Sequence, residues 1–277
     1  MSAGRSLSAG RSLSAGRSLS AGRSLSAGRS LSAGPSTTGA GSLDDVTVDA
    51  PRTARAQLAA LAADPRFPGP WPHARGTMDD DRARAAAVLV LFGVLDGLPA
   101  DHEAQHQAVS HDLDLLLLRR AATLSSHAGQ VAFPGGRLDP GEDAVTAALR
   151  EAQEETGVDP SGVRVLGTLA ALPMPVSNHV VTPVLGWWED PSPVAVVDVG
   201  ESASVFRTPV ADLLDPANRY TSVLRRGGTT WRGPAWLITV DGVQQLVWGF
   251  TAGVLDSLFT SLGWAEPWDR SRELELP

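Results

Sequence analysis

Apolar positions along this chain come in short runs separated by polar, glycine and proline breaks. Runs at 86–94, 113–118 and 131–133 are rich in Val, Leu and Phe and short, which predicts strands, and further strands are expected at 163–172, 179–188 and 203–209. The period changes between 144 and 156, where Val145, Ala148, Leu149 and Ala152 recur at helical spacing with no Gly or Pro among them. A helix is predicted there. Asp139, Pro140 and Gly141 form a turn before it, Gly157 supplies a left-handed C-terminal cap, and Pro160 stops any continuation. Other helices are expected at 53–63, 209–214 and 247–262. A second strand pair is expected at 230–231 and 236–240, joined by a turn at 232–234, with another turn at 240–243. Strands on both sides of a helix, with another helix at the end, predict an α/β fold with a mixed sheet between helices.

Residues 1–35 stand outside this pattern. They repeat SAGRSL with a period of six and place Arg5, Arg11, Arg17, Arg23 and Arg29 at identical positions. Such a stretch makes no core, so residues 1–43 are expected to be a disordered repeat and linker. It is rich in Arg and Ser and free of acid, as transit peptides are, but its regularity favours an expanded short repeat or a start codon placed too early. Residues 44–277 then form one domain with a sizeable core, of which 44–84 are a helix and an arm carrying Pro65, Pro68, Pro70 and Pro72.

Charge and composition narrow the chemistry. Five of the 23 basic residues lie in the repeat, leaving 18 against 31 acidic ones, a net of −13 for the remainder. Nonspecific nucleic-acid binding is disfavoured. Every basic residue is Arg, a sign of coding bias, and the absence of Cys excludes disulfides, a thiol nucleophile and a cysteine zinc site. With no apolar run of signal-peptide character in the repeat and none long enough to span a bilayer, a cytoplasmic protein is expected, with no membrane partner.

The segment 136–158, GRLDPGEDAVTAALREAQEETGV, carries the chemistry. On the predicted helix Glu151, Glu154 and Glu155 fall within about 100° of arc, and like charges at those spacings repel by a few tenths of a kcal/mol per pair. A hard divalent cation with oxygen ligands reverses that penalty. Arg150 is placed to orient Glu142 or a member of the cluster, and Gly136 gives a backbone carbonyl room to approach the same ion. A bare ExxEE is more often a solvated acidic face. The flanking Gly136, Glu142, Arg150, Gly157 and Val158 reverse that reading, since chance produces the whole pattern on the order of once in 10⁶ chains of this length.

These residues resemble the signature of the Nudix hydrolases at every position, with Ala152 where a larger aliphatic is usual. The resemblance implies a three-layer α/β/α sandwich and hydrolysis of a diphosphate linked to another moiety. It also implies Mg²⁺ or Mn²⁺ on Glu151, Glu154 and Glu155 beside Gly136. Catalysis would rest on Glu151, Arg150 and Glu142, with Glu151 taking the proton of the attacking water. A late acidic residue often completes such sites; Glu201 is a candidate, though an exposed loop carboxylate is the simpler reading. Many members are homodimers, but no residue here specifies an interface.

Upstream, LLLLRRAATLSSHAGQVAFPGG is similar to the pattern of the coenzyme A pyrophosphatases within that family, through Leu116, Leu117, Arg120, Ala121, Gly129, Phe133, Pro134, Gly135 and Gly136. Leu118 stands where that pattern has Thr, and Ser125 where it has Arg. The segments at 173–186 and 248–252 also resemble this subgroup. The implied substrate is a small nucleoside diphosphate, coenzyme A or a short-chain acyl derivative, with Arg120, Gly129, Phe133, Gly135 and Arg137 as substrate-binding candidates. Arg119, Arg120 or Arg137 could stand in for the Arg missing at Ser125. ADP-ribose or NADH hydrolysis, or a nucleotide sensor without catalysis, are the alternatives. His127 reads as loop packing in preference to a phosphate contact, His102, His106 and His111 as a solvated loop, Trp187 and Trp188 as one core and one edge residue in either order, and Phe133 as core if it does not meet substrate.

Overall fold

The computed structural model describes residues 53–64, 82–95, 100–123, 127–175 and 177–276, which belong to one unit spanning 49–277. The SAGRSL repeat, the prolines between 65 and 72, and Ser125 lie outside the described residues.

The chain enters through α1 (Ala54–Ala62), whose first turn is capped by the Thr53 hydroxyl accepting from the Ala56 N–H. Next come β1 (Arg84–Val94) and β2 (Leu113–Arg120), then the short β3 (Val131–Ala132) and β4 (Gly135–Arg137), then α2 (Ala144–Thr156). They are followed by β5 (Val163–Thr168), β6 (Leu172–Met174), β7 (His179–Trp188) and β8 (Ser202–Pro209). These eight strands form one mixed sheet in which β1 pairs with β7 in parallel and with β2 and β4 antiparallel. Both faces of β1 and β2 are covered, so their apolar residues run on without alternation. Val90, Phe92, Leu115 and Leu117 pack on one side with α1, α3 (Val210–Leu214) and α4 (Gly249–Ser261). Ala87, Leu89, Leu91 and Leu116 pack on the other with α2. The result is the mixed sheet between helices expected from the hydrophobic pattern, in the three-layer α/β/α form that the family resemblance implies.

One irregularity of this sheet positions the site. β1 and β2 pair only from Phe92 to Val94 against Leu113 to Leu115, and then part. The segment leading to α2 fills the fork: β3 lies along β2 at Leu118 and Arg119, and β4 lies along β1 from Ala86 to Val88. Gly135 is needed at this junction, because a Cβ there would collide with the Ala87 carbonyl.

Several boundaries differ from expectation. The run at 163–172 is two strands, β5 ending at Thr168 and β6 starting at Leu172, and β5 bulges between Val165 and Gly167, where the glycine backbone passes close to Ala62 of α1. No turn occurs at 232–234. Instead β9 (Arg219–Arg226) and β10 (Thr229–Val240) form a long hairpin through Gly227 and Gly228, continued by β11 (Val243–Val247) and flanked by β12 (Glu273–Glu275) in a second, four-stranded sheet. Pro234 is tolerated inside β10 because β11 covers that strand only from Trp236 to Val240, leaving one side of the proline outside the ladder. The last helix starts at Gly249 rather than 247, since Val247 completes β11. No helix among the described residues is long and apolar enough to cross a membrane.

Candidate active site

Helix α2 begins and ends on local chemistry. The Asp143 carboxylate accepts from the Thr146 N–H at 2.8 Å, and Gly157 closes the helix in the left-handed conformation at φ 74°. Ala147, Ala148 and Ala152 are fully buried against the sheet, small side chains that let the helix approach it closely. The acidic side chains then divide by depth. Glu154 is 58% exposed, Glu151 17% and Glu155 4%.

Arg150 ties the shallower carboxylates together. Its Nε and Nη2 donate to the two oxygens of Glu142 at 3.0 and 2.9 Å, and Nη1 donates to Glu151 at 3.0 Å and Glu154 at 3.1 Å. Nη2 also donates to the Arg137 carbonyl at 3.0 Å. Glu142 in turn accepts from the Asp139 N–H. The guanidinium and that N–H hold the Glu142 carboxyl below the usual range, while its bonds to Glu142 and Glu151 raise Arg150 above its own.

Glu155 stands apart. It accepts from the Gly135 N–H at 2.9 Å and lies 3.8 Å from the Arg120 guanidinium. Burial pushes its pKa up to about 7 against the pull of that N–H and of Arg120, with Glu151 and Glu201 adding repulsion. Burial is also the main cause that raises Glu151. Gly136 has a more direct role than carbonyl access, because a Cβ there would overlap the Glu151 carboxylate. Absence of a side chain at 136 lets Glu151 fold back toward β4.

A divalent cation fits this donor set. The oxygens are hard, and Glu151 and Glu155 carry desolvated charge that a cation would neutralise. With Arg150 bonded to Glu151 and Glu154, no three acidic or histidine side chains converge on one point among the described residues.

Of the substrate-binding candidates, the structure brings Arg120 and Gly135 to Glu155. Phe133 must be corrected: it is 3% exposed within the core cluster and has almost no surface to offer a ligand. Arg137 is exposed, with its carbonyl on Arg150. Gly129 turns the loop after β2, at φ 70°, with its N–H donated to the Arg120 carbonyl. His127 does not pack; it is exposed, and its Nδ1 lies 2.9 Å from Gln130 Oε1. Glu201 is exposed, yet close enough to the site to repel Glu151 and Glu155. Trp188 is buried and Trp187 partly so.

The histidine segment is a second correction. His102 is not free in a solvated loop: its Nε2 lies 3.1 Å from both oxygens of buried Glu266, which also accepts from Gln105, and Asp212 accepts from the 101 and 102 N–H groups. These partners lie more than a hundred residues away, so no local pattern announces them.

A sequence model of the NUDIX domain matches residues 105–225, which include β2, the fork and α2. The chain is 40% identical over 150 residues to a protein of Cronobacter sakazakii named uncharacterized Nudix hydrolase NudL, an alignment covering 54% of this chain and 75% of that one. NudL of Escherichia coli K12 is 39% identical over the same length and shares. Among solved structures, a Caenorhabditis elegans Ap4A hydrolase is similar at a TM-score of 0.35 and 23% identity, covering 47% of this chain and 83% of its own. The extent of the match to the NudL sequences, together with the NUDIX domain match across the acidic helix, makes this chain a member of the Nudix hydrolase family.

Proposed function

We propose that this Nudix hydrolase cleaves the diphosphate of coenzyme A or a short-chain acyl derivative, giving adenosine 3′,5′-bisphosphate and 4′-phosphopantetheine. Membership of the family supports the coarser part, hydrolysis of a nucleoside diphosphate derivative. The finer part rests on one observation: two residues of the coenzyme A-like segment fifteen positions apart, Arg120 and Gly135, both meet Glu155 of the acidic helix.

In this reading Glu151, Glu154 and Glu155 would hold Mg²⁺ or Mn²⁺, which would neutralise the diphosphate and polarise its P–O bonds. Glu151 takes a proton from the attacking water as the new P–O bond forms and the bridging P–O bond breaks. Arg150 acts through Glu142 and Glu151 by holding both in place, a positioning task that leaves substrate contact to others. Arg120 is a cation within reach of the same carboxylate site and would contact a diphosphate oxygen.

The test is turnover of coenzyme A, ADP-ribose, NADH and diadenosine polyphosphates by purified protein with Mg²⁺, with products identified by mass. Preference for coenzyme A and release of the two named products are expected. Preference for ADP-ribose or NADH would replace the substrate, and turnover of none would make the protein a sensor.

A further inference from the structure

Among the described residues, the buried and partly buried arginines other than Arg119 have partners. Arg55 pairs with Glu189, Arg120 with Glu155, Arg150 with Glu142, Arg207 with Asp114 and Arg219 with Asp256, while Arg272 donates to the Pro216 and Ala217 carbonyls. Arg119 is the exception among the described residues. It is partly buried, its Nε is shut off from solvent, and its side chain has neither an ion pair nor a hydrogen bond. In the pairing of β2 with β8 it stands opposite Ser204, whose hydroxyl is also buried without a partner. Burying part of a guanidinium without an acceptor is costly, and an anion would supply the acceptor that the protein omits.

Geometry says which kind of anion. Arg120, the next residue, reaches Glu155 on α2 and stands opposite Ser202. The slip that skips Ala203 is on β8, so β2 keeps its alternation and sends Arg119 and Arg120 to opposite faces of the sheet. Leu117, two positions before Arg119, belongs to the core on the α4 side, and Leu116 to the core on the α2 side. One phosphoryl group cannot serve both arginines. The diphosphate belongs with Arg120 and the glutamates, which leaves Arg119 for a separate group.

We infer that Arg119 and Ser204 form a specificity subsite for a phosphate monoester on the nucleoside, outside the diphosphate that is cleaved. The inference rests on the coenzyme A reading for its substrate, where this group is the 3′-phosphate on the ribose. Coenzyme A and dephospho-coenzyme A differ only in that phosphate. The ratio of their kcat/KM values should favour coenzyme A in the wild type and fall about tenfold or more in Arg119→Gln, chiefly through KM, and less steeply in Ser204→Ala. Arg119→Lys should restore part of the preference. An unchanged ratio in both Arg119→Gln and Ser204→Ala overturns the subsite.

Calorimetric titration with adenosine 3′,5′-bisphosphate and adenosine 5′-phosphate reads the same site without turnover. The wild type should bind the bisphosphate more tightly, and Arg119→Gln should lose that margin; equal wild-type affinities overturn the subsite. If coenzyme A is not cleaved but the calorimetric margin is present, the substrate reading fails and the subsite stands. Should Arg119→Gln fail to fold by circular dichroism, Ser204→Ala carries both measurements.

Discussion

At the scale of the residue, Glu151 and Gly136 depend on each other. The carboxylate occupies the space that any side chain at 136 would take. Gly136→Ala should therefore push the carboxylate off position and lower kcat by about 10²-fold, since misplacement on the order of 1 Å has that effect on a reacting group. Glu151→Gln keeps the shape and removes the base, so turnover should drop by about 10² to 10⁴-fold while the circular dichroism spectrum is unchanged. Near-wild-type kcat in Glu151→Gln would remove the residue from the chemistry. The identities of these residues were legible in the segment 136–158, but the reason for Gly136 was not. Spacing suggested carbonyl access to an ion; the contact with Glu151 depends on how β4 lies against β1 and how near α2 sits, which no local pattern encodes.

At the scale of the element, α2 is specified by its own ends. Asp143 caps one terminus and Gly157, at φ 74°, the other. Asp143→Ala and Gly157→Ala should each destabilise the protein by about 1 kcal/mol in urea unfolding, the first by leaving an N–H unmet and the second by forcing a Cβ into the left-handed region. Neither residue touches the carboxylates, so kcat in the folded fraction should stay within about twofold of wild type; a large kcat loss without destabilisation would contradict the capping roles. This helix was readable because its signals are adjacent in the chain. The β9–β10 hairpin was not, because Gly233 and Pro234 imitate a turn, and the free side of β10 that accommodates the proline exists only once the second sheet is assembled.

At the scale of the whole molecule, burial sets the response to pH and to metal. Asp114 is 1% exposed on β2, with Arg207 Nη1 3.4 Å from one oxygen and no hydrogen bond to either. Burial outweighs the pull of Arg207 and raises its pKa from 3.8 to about 7. The folded state thus keeps a proton that the unfolded chain releases. The stability this group contributes is fully present below its unfolded pKa and is lost as pH rises through about 7. The stability of Asp114→Asn relative to wild type, from urea unfolding, should accordingly increase from about pH 5 to about pH 8, whereas a constant difference would mean that Asp114 does not titrate there. Removal of divalent metal by EDTA should abolish turnover and leave the far-ultraviolet circular dichroism intact, because the helix is held by its caps and its alanine face. Added Mg²⁺ should restore the rate.

The sequence by itself determined the reaction class and the helix that carries it. The caps, the glutamates and the flanking glycines lie in one continuous stretch, where the helical period alone puts carboxylates on one face. It also determined the layered fold, since apolar runs too short for helices must pair as strands. Only the tertiary structure decided how those carboxylates are shared. Arg150 takes Glu142, Glu151 and Glu154, while Glu155 turns to Gly135 and Arg120, and Arg119 is left facing Ser204 without a partner. The physical reason is that burial and strand register are long-range properties: they arise where β1 and β2 part and β8 slips by one residue, and neighbours along the chain carry no record of either.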